Sequence, residues 1–204
     1  MAVMEFFYDF TSPYSYLAST RVEAAARAAG GEVRFRPFLL GGVFKATGNR
    51  APLETPAKAK HMWVDLERWA KRIGVPLVMP AAFPVASLLA LRTALAVEKQ
   101  GKLVPFTHAV FRACWADGKD IASPEVLAAI ASSVGLDGPA AVAAAPEHKA
   151  ALMAQTQEAV DRGSFGAPTF FVPTDGGEEM FVGNDRLEMA VEALARGGTG
   201  RRGS

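Results

Sequence analysis

The sequence predicts a mixed α/β fold interrupted by a long all-helical segment. Three observations carry this. Residues 1–42 read strand, helix, strand; the stretch from Val43 to Gly163 is Ala-rich and helical in period; after Gly163 the strand signal returns as a hairpin followed by a helix.

Taken in order, Val3 to Phe10 is an apolar and aromatic run that suits a buried strand. Pro13 to Ala29 has a helical pattern, and Gly30-Gly31 is a common helix stop. Glu32 to Leu39 alternates charged and apolar residues, Arg34 and Arg36 against Val33, Phe35 and Phe38, as a half-buried strand does. A β-α-β unit of this kind pairs its strands in parallel. Helices are predicted over Thr55–Ile73, Pro84–Gln100, Lys102–Asp117, Pro124–Val134 and Ala140–Asp161, separated by Gly, Pro and Asn clusters such as 48–52 and 74–76. Thr169–Pro173 and Glu179–Val182 flank Thr174-Asp175-Gly176-Gly177 as a hairpin. Asn184 is expected to cap a last helix, Asp185 to Arg196, and Gly197 to Ser204 to be disordered.

The order β-α-β, helices, β-β-α describes a thioredoxin-like domain, residues 1–42 and 164–200, with a helical insertion domain over 43–163. There is no internal repeat.

Composition narrows the function classes. With 22 basic and 21 acidic residues the net charge is +1, which gives no electrostatic footprint for nucleic acid. No apolar run approaches the roughly 20 residues a membrane span needs, and no basic and apolar leader precedes the first strand. The single cysteine, Cys114, lies in a helical apolar pattern, reads as a core residue and allows no intramolecular disulfide. These features point to a cytoplasmic protein. The histidines, His61, His108 and His148, lack ligand spacing, so no metal site is expected.

The chemistry concentrates in Ser12-Pro13-Tyr14-Ser15. Proline suits the first turn of a helix because its missing N–H has no intrahelical partner there. Ser12 then stands at the N-cap, beside free N–H groups and the positive end of the helix dipole. Redox proteins carry C-x-x-C at this kind of corner, where the helix end lowers a thiol pKa; here both positions are serine. Ser12 reads either as an ordinary cap or as a group acting on an incoming sulfur. A second feature, Gly166-Ala167-Pro168-Thr169, puts a proline at the start of an apolar strand, a position where a missing N–H is tolerated. Asn184-Asp185, after Gly183, starts another helix, where N–H groups suit a carboxylate and an acid suits an ammonium group; capping alone is the competing explanation. Lys58 is either a ligand-facing cation or part of a solvated face with Lys60 and Lys71, and Lys60 is an alternative to it. Asn49 could serve only as a left-handed turn residue.

The segments FYDFTSPYSYLAS, FKATGN, VDLERWAKRIGVPLVMP, FGAPTFFV and FVGNDRLEMAVEAL resemble the 2-hydroxychromene-2-carboxylate isomerases, which group with kappa-class glutathione transferases in the DsbA-like branch of the thioredoxin fold. The resemblance runs from Glu5 to Leu194. It implies glutathione as cofactor, a homodimer, and a small aromatic carboxylate as substrate. By position it implies Ser12 as the catalytic serine on the glutathione sulfur. It also implies Asn49 and Lys58 as residues lining the glutathione site, and Asn184 with Asp185 at the γ-glutamyl end. Ala167, before a cis Pro168, is implied as the backbone partner of the cysteinyl part. The implied reaction interconverts 2-hydroxychromene-2-carboxylate and trans-o-hydroxybenzylidenepyruvate in aromatic hydrocarbon catabolism such as naphthalene degradation. A kappa-type conjugation or peroxide reduction would use the same activated thiolate. A DsbA-type thiol-disulfide exchange would need the missing cysteines. Phe44, Phe83 and Trp115 are candidates for the substrate pocket.

Overall fold

The computed structural model describes residues 1–199. A four-stranded sheet is built from β1 (Val3–Tyr8), β2 (Glu32–Pro37), β3 (Thr169–Thr174) and β4 (Gly177–Val182), in the order β2-β1-β3-β4. β1 and β2 are parallel; β3 runs antiparallel to β1 and to β4. This is the DsbA-like thioredoxin arrangement, with α1 (Pro13–Ser19) and α2 (Val22–Ala28) between β1 and β2 and α10 (Leu187–Thr199) after β4. Between β2 and β3 lie α3 (Leu40–Thr47), α4 (Pro56–Ile73), α5 (Leu88–Glu98), α6 (Leu103–Trp115), α7 (Pro124–Ser133), α8 (Gly138–Ala143) and α9 (Lys149–Asp161).

The period of two along β1 sorts its side chains onto two faces. Met4, Phe6 and Tyr8 join Phe35, Phe170 and Val172 in the main core, which continues without a break into α1, α5 and α6. Phe6 stacks on Phe170 at 5.5 Å and meets Phe35 edge-on at 5.2 Å. On the opposite face Phe7, Phe38 and Phe171 pack with Val43 of α3 and Ala159 of α9. Glu5 lies on that second face, where Arg36 and Arg162 pair with its carboxylate. The Arg162 guanidinium also sits 3.8 Å above the Phe171 ring. Asp9 is the next residue of this face, just past the end of β1, and that placement brings it to the site.

Several boundaries differ from expectation. The predicted helix Pro13–Ala29 is two helices. Ser19 and Thr20 turn their hydroxyls back onto the carbonyls of Tyr16 and Leu17, both at 2.8 Å, and Arg21 leaves the helical region at φ −127°. The predicted Ala140–Asp161 is α8, a 3-10 turn (Ala145–His148) and α9, since Pro146 cannot supply an interior helical N–H. The helix expected from Pro84 begins at Leu88, after a cis Phe83–Pro84 peptide. The hairpin closes through Asp175-Gly176 alone, because Thr174 pairs with Gly177. Gly183, not Asn184, precedes a 3-10 turn (Asn184–Arg186), and α10 starts only at Leu187. Gly197 to Thr199, expected disordered, continue α10; Gly200 to Ser204 lie outside the described residues. Among the described residues no helix is long and apolar enough to cross a membrane.

Candidate active site

Ser12 caps α1 as the sequence predicts. Its Oγ accepts the Ser15 N–H at 3.1 Å and donates to the Ala167 carbonyl at 3.1 Å. The residue is buried, and its own N–H is held by the Asp9 carbonyl at 3.0 Å. The hydroxyl therefore bridges the first helix to the turn before β3. That turn is set by Ser164 and Thr169, whose hydroxyls meet at 2.9 Å while Thr169 donates to the Gly166 carbonyl at 2.7 Å. Within it the Ala167–Pro168 peptide is cis, and the Pro168 carbonyl accepts the Gly183 N–H at 2.9 Å. Ser15, the second serine of the corner, is fully buried and its Oγ has no partner.

Ser12 and Ala167 open onto a cavity of about 670 Å³. Its walls come from the β1–α1 corner, from α3, from the 49–53 loop, from Lys58 and Met62 of α4, from 83–88 and from 165–167. The surface is mainly apolar, with Leu39, Phe44, Met62, Phe83 and Val85 around it. Such a lining, with a few converging polar groups, is what a small-molecule site needs. Of the three aromatics expected here, Phe44 and Phe83 line the cavity. Trp115 does not: it is fully buried, donates its indole N–H to the Phe10 carbonyl at 2.8 Å, and stands behind Phe83 at 5.8 Å.

The structure brings Ser12, Asn49, Lys58 and Ala167 to this one cavity. Asn49 donates from Nδ2 to the Phe165 carbonyl at 2.8 Å, tying the α3–α4 loop to the turn before β3. The left-handed turn at this point belongs to Gly48, at φ 69°, not to Asn49. Lys58 borders the cavity and Lys60 does not, which separates the two lysines that the sequence left open.

Asn184 and Asp185 are not among the residues lining the cavity. Asn184 is buried and accepts from Arg21 at 2.8 Å, with its Nδ2 unpartnered; Asp185 is half-exposed and paired with Arg186 at 2.7 Å. Tyr14, which lines the cavity, has its pKa raised by burial, by its hydrogen bond to Asp65 at 2.8 Å, and by the charges of Asp65 and Asp185.

Asp9 is a site residue that went unread in the sequence. Asp9 borders the cavity although it is only 1% exposed. One carboxylate oxygen accepts the Thr11 N–H at 3.0 Å, the other the Leu40 N–H at 2.8 Å, and the Ser87 hydroxyl lies within hydrogen-bonding reach. Burial pushes its pKa above the ordinary aspartate range even against these three donors. The local signal, an acid two residues before Ser12's neighbour in a strand-to-helix corner, reads as a turn; its contacts with α3 and residue 87 exist only in the fold.

Cys114 and His108 lie outside the cavity lining. Cys114 is buried, and burial with the nearby Asp120 charge pushes its thiol up to about 12. His108 pairs with Glu23 at 2.6 Å, and among the described residues no cluster of metal-binding side chains occurs.

The model of the DsbA-like thioredoxin domain matches residues 3–195. A 2-hydroxychromene-2-carboxylate isomerase of Sphingobium xenophagum is 34% identical over 94% of this chain and 97% of its own length. A glutathione S-transferase kappa 1 of Homo sapiens is 29% identical over 94% of this chain and 90% of its own. Among solved structures, a 2-hydroxychromene-2-carboxylate isomerase superposes with a TM-score of 0.85 at 31% identity, covering 95% of each chain. The chain therefore belongs to the DsbA-like thioredoxin family and, within it, to the 2-hydroxychromene-2-carboxylate isomerases.

Proposed function

We propose that this protein is a glutathione-dependent isomerase interconverting 2-hydroxychromene-2-carboxylate and trans-o-hydroxybenzylidenepyruvate, with Ser12 as the catalytic group. The observation that carries the reading is the Ser12 bridge to Ala167 at the wall of a mainly apolar cavity. A serine at this corner holds no sulfur of its own, so the thiol must arrive with a ligand. Glutathione held against Ser12 and Ala167 would supply a thiolate able to add reversibly to a conjugated carbon of the substrate.

The residues present fit such a ligand. In the free protein the Ser12 proton is spent on the Ala167 carbonyl. A peptide N–H from a ligand can take over that carbonyl, which frees the Ser12 hydroxyl to donate to a thiolate. A hydrogen bond to a charged partner contributes about 1.5–3 kcal/mol, and about 1.4 kcal/mol is one pKa unit. Because α1 has only seven residues, its dipole is weaker than that of the single long helix expected, and the hydroxyl carries more of the effect. Lys58 offers its cation to the cavity and Asn49 secures the loop beside it, while Asn184, outside the cavity lining, keeps a buried amide N–H without a partner. The cavity holds the aromatic carboxylate. A cytoplasmic homodimer completes the reading.

Kappa-type conjugation is the second reading, favoured by the 29% identity to a kappa transferase. An absorbance assay with the chromene carboxylate separates the two. The isomerase reading expects conversion that requires glutathione and leaves its concentration unchanged; consumption of glutathione supports conjugation, and no conversion removes the first reading.

A further inference from the structure

The cavity is polarised. At its inner end stands Asp9, and at its edge Lys58 and the exposed Arg50. A carboxylate has four acceptor positions on two oxygens. Thr11 N–H and Leu40 N–H occupy two of those of Asp9, and Ser87 lines the cavity with it. Asp9 borders the cavity and keeps acceptor capacity that those two bonds do not fill. An acid in this position repels a ligand's carboxylate and attracts a hydroxyl, while the lysine at the edge does the reverse.

We propose that the inner end of the cavity is a hydroxyl-recognition subsite, in which Asp9 accepts a hydrogen bond from the hydroxyl of an aryl ligand whose carboxylate points outward toward Lys58. The inference rests on the reading that this cavity takes a hydroxyaryl carboxylate, and it adds the orientation and the residue that selects it. Phe44 and Phe83 then flank the ring, and Ser87 steadies the acceptor. A ligand lacking the hydroxyl leaves Asp9 one hydrogen bond short in a buried place, which is the strong form of polar discrimination.

Calorimetric titration of the intact protein with three probes tests this: trans-2-hydroxycinnamate, trans-cinnamate and trans-2-methoxycinnamate. The subsite predicts that the hydroxylated probe binds at least about tenfold more tightly than the other two. Equal binding of all three, or a methoxy compound that binds as well as the hydroxy compound, overturns it, since an ether oxygen cannot donate. Asp9→Asn is expected to bring the ratio close to one. A ratio kept in that variant also overturns the proposal. Where Asp9→Asn does not fold, the three probes on the unaltered protein decide. No turnover is read, so a protein that shows this ranking yet fails to isomerise the chromene upholds the subsite and removes the isomerase reading.

Discussion

The hydroxyl of Ser12 donates to the main-chain carbonyl of Ala167 at 3.1 Å, joining the start of α1 to the turn before β3. One side chain thus does two jobs in the free protein, since the same oxygen caps α1 by accepting from Ser15. The two jobs separate experimentally. Ser12→Ala is expected to lower stability by about 1 kcal/mol through the lost cap. It is also expected to lower kcat by about 10- to 100-fold through the lost hydrogen bond to a thiolate, with little change in glutathione affinity. Steady-state kinetics beside thermal melts check both, and unchanged turnover removes Ser12 from the mechanism.

Asn49 acts on binding. Its amide holds the Phe165 carbonyl across the mouth of the cavity. Asn49→Ala is expected to weaken glutathione binding by about 2- to 10-fold, one exposed hydrogen bond's worth, while kcat at saturation stays within about twofold. Calorimetry and kinetics together read this split; a large fall in kcat with unchanged affinity contradicts it.

Much of this was legible in the sequence because it depends on local rules. The period-two aromatics of β1, Pro13 after Ser12, and the turn at Asp175-Gly176 each mark their element within a few residues. The cavity was not legible. Asp9 becomes a site residue only when α3 brings the Leu40 N–H to it and the chain before α5 brings Ser87. The break between α1 and α2 depends on where two hydroxyls turn, Ser19 and Thr20, which a helical pattern does not reveal. Asn184 looked like a cap, but the fold buries it beside Arg21 and hands the cap position to Gly183.

Glu5 provides a pH test of the sheet's second face. Burial alone raises its pKa, but hydrogen bonds and charge from Arg162 and Arg36 outweigh that and hold it below the ordinary 4.5. On unfolding the group returns to that ordinary value. The stability it contributes is therefore present above 4.5 and lost as pH falls through the lower folded-state value. Glu5→Gln is expected to cost about 1–2 kcal/mol at neutral pH, with the gap in melting temperature closing in acid. A gap independent of pH contradicts the pairing.

Cys114 should be silent in the native protein. Its thiol is buried and its pKa is pushed up to about 12. A thiol reagent at neutral pH is expected to find no reactive group until denaturant is added, and then one. Rapid native labelling would show that the residue is not where the core places it.

That silence leaves the protein's own sulfur out of the most direct test of the account, the thiolate absorbance of protein-bound glutathione followed against pH. If Ser12 donates to the sulfur, the bound thiol titrates at least one unit below the roughly 8.5 of a free cysteine thiol in the unaltered protein, and Ser12→Ala moves it back up by about one to two units. Bound glutathione that titrates like the free thiol, or a titration that Ser12→Ala leaves in place, contradicts the account.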